Sequence, residues 1–164
     1  MRKLWLVVMV VAPALMPGCG CGSTNPCVPD PGSSGACPPL AGTWTLHFDP
    51  ETDSSGCMGQ MVTAAEAKPA TITFTQMGFD LRSSVNGAAL TGQVTDDDQF
   101  TLAGNTGTDI DDGGNLVGHE IDFNIRGKFI PDATGDGGTI NDGTWETTNV
   151  DVDCDRQTTF TATR

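Results

Sequence analysis

Beyond residue 42 the chain alternates apolar and polar side chains in short runs. Trp44, Leu46 and Phe48 share one parity while Thr43, Thr45 and His47 hold the other, the pattern of a strand with one buried face. Ile72 and Phe74 oppose Thr71, Thr73 and Thr75, and after Met77-Gly78 the chain turns back through Phe79, Leu81 and Val85. Asn86-Gly87 follows, a two-residue hairpin signal because a type I′ turn needs positive φ at both central positions. Leu90 to Val94 answers it, and Asp96-Asp97-Asp98 turns the chain into Phe100 and Leu102. The longest run starts at Leu116, with Val117, His119, Ile121, Phe123 and Ile125 inward and Glu120, Asp122, Asn124 and Arg126 toward water. Two further strands are expected around Thr139 to Thr148 and Thr158 to Thr163, separated by Asp151, Asp153 and Asp155.

No stretch carries the 3.6-residue period of an amphipathic helix; Thr63 to Lys68 has room for one helical turn, which Pro69 ends. The fold class is therefore all-β, an antiparallel meander of about eight strands. Such a sheet loses its vulnerable edges by closing into a small barrel, with a β-sandwich as the alternative. Ile140 and Trp145 have opposite parity, so burying both requires a bulge or turn near Asp142-Gly143. The tripeptide Gly143-Thr144-Trp145 reads as such a kinked strand presenting an aromatic to the core.

The front of the chain is of another kind. Arg2 and Lys3 precede 13 apolar residues from Leu4 to Met16, the layout of a secretory signal. That run is short of the roughly 20 residues a transmembrane helix needs. From Gly20 to Pro39 come five prolines and four glycines without apolar periodicity, a composition that reads as a tether reaching up to about 60 Å. Residues 40–164 remain for one domain, enough for a single core and expected to be monomeric.

Leu15-Met16-Pro17-Gly18-Cys19 resembles the lipobox of bacterial lipoproteins, with small Gly18 just before the cysteine and Met16 where that family usually has Leu. The resemblance implies a signal peptide over residues 1–18 and diacylglycerol on Cys19, the lipid adding about 0.8 kcal/mol of membrane affinity per buried CH₂. Gly20 follows the lipidated cysteine where Asp would retain a lipoprotein at the inner membrane, which implies a place in the cell envelope at the outer membrane. Gly42-Thr43-Trp44 at the start of the first strand is in turn similar to the Gly-x-Trp signature of lipocalins. In that family a basic residue from the end of the barrel packs over the tryptophan, a part Arg164 would take; the family also implies a small apolar ligand.

Charge removes one class of partner. Losing Arg2 and Lys3 takes the basic residues from 8 to 6 against 21 acidic ones, a mature net charge of −15, and nucleic acid is bound through Lys and Arg. Export permits disulfides. Cys57 and Cys154 are the two cysteines inside residues 40–164 and are expected to pair; strand closure would set both on one rim. Cys21, Cys27 and Cys37 form an odd set, so one is free or pairs between molecules, Cys27 with Cys37 being one arrangement.

Chemistry is sparse. His47 and His119 have opposite parity and no Gly-x-Ser-x-Gly elbow accompanies them, so a nucleophile with its general base is not expected, nor an enzyme. Asp109 to Glu120 matches a 12-residue calcium loop, with Asp109 and Asp111 at positions 1 and 3, Gly114 at 6, Asn115 at 7 and Glu120 at 12. Gly113 stands at position 5, and strands flank the loop where an EF-hand has helices. The competing reading is an acidic glycine-rich loop; Asp132, Thr134 and Asp136 offer a weaker calcium site. No other cofactor is implied. Two roles follow: a non-catalytic barrel that is structural or binds a small ligand or another envelope protein, or a calcium-stabilised adhesion module.

Overall fold

A computed structural model describes residues 26–27, 37–50, 57, 62, 66–107, 114, 120–133 and 137–164. Eight strands run in chain order: β1 (Gly42–Phe48), β2 (Thr71–Met77), β3 (Asp80–Val85), β4 (Ala88–Val94), β5 (Gln99–Asn105), β6 (Ile121–Pro131), β7 (Gly138–Asn149) and β8 (Cys154–Thr163). Each pairs antiparallel with its sequence neighbours, and β1 pairs with β8, so the meander closes as a barrel rather than a sandwich. No helix among the described residues is long and apolar enough to cross a membrane.

The alternation is what closes it. On β6, Ile121, Phe123, Ile125 and Phe129 are buried while Asp122, Asn124, Arg126 and Lys128 are exposed. Tight turns set the register: Asn86 and Gly87 both take positive φ between β3 and β4, and Asp98 does so between β4 and β5. The junction of β7 and β8 differs from a plain acidic loop, because Val150–Val152 form a single 3₁₀ turn that ends on left-handed Asp153.

The parity conflict on β7 resolves as a bulge. Against β6 the register moves from Arg126↔Thr144 to Lys128↔Asn141, and against β8 from Gly143↔Phe160 to Ile140↔Ala162. One extra residue on β7 therefore lies between Ile140 and Gly143, with Asp142 at φ 51°. Ile140 and Trp145 both reach the interior because of it.

The longest expected strand is described from Ile121 onward. β6 starts at Ile121 and continues to Pro131, while Leu116 to His119 fall outside the described residues. Residues assigned to the tether also enter the fold. Pro26 bridges Thr95, the Cys27 N–H donates to the Val94 carbonyl at 3.1 Å, and Cys27 is a buried member of the core. Its disulfide to Cys37 supplies what the Pro/Gly composition lacks, a covalent reason for this segment to stay on the barrel. The folded unit thus reaches back beyond residue 40.

Candidate functional site

The barrel interior is filled by its own side chains. Trp44, Phe74, Phe100, Phe129 and Trp145 are all at most 2% exposed. They interlock edge to face: Trp44 with Phe129 at 5.8 Å between ring centroids, and Trp145 with Phe48, Phe123 and Phe160 at 5.4, 6.2 and 6.3 Å. Such pairs add to the area they bury and hold each ring in one orientation. Chemistry is therefore sought at the two ends of the barrel.

The upper end carries β1's first residues, β8's last and the Cys27–Cys37 disulfide. The Trp44 indole N–H donates to the Leu40 carbonyl at 2.9 Å, and the Arg164 guanidinium stands 5.0 Å from the Trp44 ring centre. Arg164 also donates to the carbonyls of Ala41 and, at 3.1 Å, Pro39. Gly42 makes this possible. Its φ is +128°, and a Cβ there would come within 2.9 Å of Arg164 Nη1. One guanidinium thus ties the start of β1 to the end of β8.

The lower end is polar. Buried polar or charged side chains among the described residues are Glu66, Thr147, Asn149 and Thr158. All four lie around this mouth, where β7 ends, β8 begins and the β1–β2 connection crosses. Cys57 of that connection is bonded to Cys154 at the start of β8. Thr158 donates to the Asp49 carbonyl at 2.9 Å, Thr159 to the Asp49 carboxylate at 2.6 Å, and Lys68 Nζ lies 5.5 Å from the Phe48 ring centre.

At its centre Arg156 Nε and Glu66 Oε1 face each other at 3.4 Å, with side chains 14% and 2% exposed. They form an ion pair without the geometry of a hydrogen bond between those two atoms. Trp145 Nε1 and Asn149 Oδ1 are buried with no hydrogen-bond partner among the described residues. The clefts between Glu66, Lys68, Trp145, Thr147, Arg156 and Thr158 are too narrow to admit a water. The sequence held one signal for this cluster: the inward parity of Ala162, Phe160 and Thr158 extends back to Arg156. Nothing in the sequence indicated that Glu66 would meet it.

Of the residues singled out from sequence, His47 is exposed on β1, and His119 lies outside the described residues. Cys19, Asp109, Asp111 and Asn115 also lie outside them, as do Thr134 and Asp136 of the second loop. Glu120 is described: Asn105 Nδ2 is 3.4 Å from its Oε1, and its carbonyl accepts from Val150 N–H. Asp132 N–H donates to the Gly137 carbonyl. Among the described residues no group of three or more His, Cys, Asp or Glu side chains is placed to hold a metal. No protein-family model, curated protein or solved structure matches this chain.

Proposed function

We propose that this is an exported protein held at the cell envelope by lipid on Cys19, whose barrel is a non-catalytic scaffold acting through its outer surface and its ends. The observation that carries the reading is the filled interior. A carrier of apolar ligands needs an empty barrel, and here Trp44, Phe74, Phe100, Phe129 and Trp145 occupy that space. A small eight-stranded barrel can be packed solid in this way. The likeness to lipocalins then concerns architecture, the Gly42, Trp44 and Arg164 clasp, rather than cargo.

Export is supported by two disulfides, Cys27–Cys37 and Cys57–Cys154, which persist in oxidising compartments. The Arg2-Lys3 start, the apolar run and the Leu15 to Cys19 segment support the anchor. With a net charge of −15 after signal removal, the surface favours solubility and disfavours anionic partners such as nucleic acid.

Expression in a bacterium with two membranes, in the presence of an alkyne-bearing palmitate analogue, tests the anchor. The wild-type chain should take up label and sediment with membranes, and Cys19→Ala should lose the label and appear in the soluble fraction. A Cys19→Ala chain that remains labelled and membrane-bound would refute the proposal.

A further inference from the structure

We propose that the Cys27–Cys37 disulfide clamps the tether to the upper end of the barrel, so that this end faces the lipid surface and the lower mouth is presented away from it. The orientation rests on the reading of Cys19 as the lipid attachment; the clamp itself does not.

The chain ahead of β1 is held at several points. Strands of the meander alternate in direction, so the end of β4 and the turn into β5 lie at the same end of the barrel as the start of β1. There the Gln76 side chain accepts from the Leu40 N–H at 2.8 Å and donates to the Pro38 carbonyl at 3.0 Å, while Arg164 donates to the Pro39 carbonyl. Leu40 is fully buried. Residues 38–40 are thus fixed to β2 and β8, and the disulfide carries that fixation back from Cys37 to Cys27. Cys27 is itself buried, its N–H bonded to the Val94 carbonyl at 3.1 Å, and Pro26 before it bridges Thr95. The tether is therefore measured from residue 26 and not from residue 40.

That shift decides which way the barrel can stand. Seven peptide steps lead from Cys19 to Pro26, and covalent geometry limits them to about 25 Å whatever path they take. A wall of strands six to twelve residues long, tilted at about 40°, is about 20 Å high. To bring the lower mouth to the bilayer, those seven residues would have to run the height of the wall almost fully stretched, whereas a relaxed chain of this length spans about 15 Å. Without the clamp, nineteen steps from Cys19 to Pro38 relax to about 25 Å, enough to pass the wall in any orientation. The upper turns carry Asp96, Asp97, Asp98 and Asp132, so the surface this end fits is one of zwitterionic rather than anionic headgroups.

The test gives the chain its anchor in vitro, so it runs whichever way the labelling of Cys19 falls. Purified mature chain carrying Cys21→Ser, its other four cysteines paired, is coupled through the Cys19 thiol to a maleimide lipid. It is then placed in phosphatidylcholine nanodiscs that contain a gadolinium-chelating lipid. The mature chain has two tryptophans, Trp44 and Trp145, and the paramagnetic relaxation of each indole N–H is measured by NMR. Trp145 packs on Phe48, four residues along β1 from Trp44, so the two indoles lie about 10 Å apart along the axis. Relaxation falls with the sixth power of distance, so with the clamp closed Trp44 should relax about fivefold faster than Trp145. In Cys27→Ala/Cys37→Ala the ratio should fall below about twofold. If that variant does not fold, about twelve Gly and Ser residues inserted after Gly22 lengthen the tether with the disulfide intact and should lower the ratio in the same way. Equal relaxation in the clamped chain, faster relaxation of Trp145, or a ratio unchanged when the tether is lengthened would overturn the clamp. A chain that takes no palmitate label on Cys19 in cells would overturn the orientation and leave the clamp standing.

Discussion

Removing the two disulfides separately should cost the barrel unequal amounts, and the difference can be worked out in advance. Cys57–Cys154 spans a sequence separation of 97 and Cys27–Cys37 one of 10. Loop-closure entropy in the unfolded chain gives about 4.7 kcal/mol for the first and about 2.7 kcal/mol for the second. Packing losses nearly cancel in the comparison, because each bridge joins one fully buried cysteine, Cys154 or Cys27, to one partly buried, Cys57 or Cys37. The Cys57→Ala/Cys154→Ala chain should therefore be less stable than the Cys27→Ala/Cys37→Ala chain by about 2 kcal/mol. In urea, with a slope of about 2 kcal/mol per M, their unfolding midpoints should differ by about 1 M. Against a total of roughly 5 to 15 kcal/mol, loss of the long bridge should leave a marginal barrel. Equal midpoints, or a lower one for the short-bridge variant, would refute the reasoning. Such a result would mean that the unfolded chain already holds residues 57 and 154 near each other.

Other outcomes follow from the two ends and the core. Arg164→Ala should lower stability by about 1 to 2 kcal/mol, because the guanidinium is solvent-exposed and the Ala41 and Pro39 carbonyls it leaves can be hydrated; chemical denaturation measures it, and Arg164→Lys should recover only part. Gly42→Ala should cost about 1 to 3 kcal/mol from its φ and the approach to Arg164. In an Arg164→Ala background that cost should fall, and strictly additive losses in the double-mutant cycle would argue against the contact. The folded protein should not enhance the fluorescence of an apolar dye such as 1-anilinonaphthalene-8-sulfonate; saturable binding with a single site would show the interior to be open.

The barrel was largely legible because parity survives tertiary context when one face of every strand is buried. Trp44 and Leu46, Ile72 and Phe74, Phe100 and Leu102 all face inward as their alternation requires. Even the need for an irregularity on β7 could be read, since Ile140 and Trp145 cannot both be buried on a regular strand; whether it was a bulge or a turn could not. What parity could not give was anything resting on contacts between distant residues without a pattern. The seating of Cys27 against Val94 depends on a disulfide closing a segment whose composition gives no sign of burial. The pairing of Glu66 with Arg156 depends on where a long connection crosses the barrel mouth. The expected strand start at Leu116 lies outside the described residues, and β6 begins at Ile121. Alternation alone does not mark where pairing begins.

The seam between β1 and β8 differs in kind from every other pairing in the molecule. The other seven join sequence neighbours, whereas Thr45↔Thr163 and Phe48↔Phe160 join the two ends of the barrel. During synthesis β1 emerges first and must wait for the whole meander before it meets this partner. Until then its edge is an open template for other strands. Folding speed is set by such distant contacts, so the seam should be the last part of the barrel to assemble and the first to fray. The long disulfide and the Arg164 clasp both sit across it, one at each end, and a cell that oxidises Cys57 and Cys154 late would leave that edge uncovered for longer.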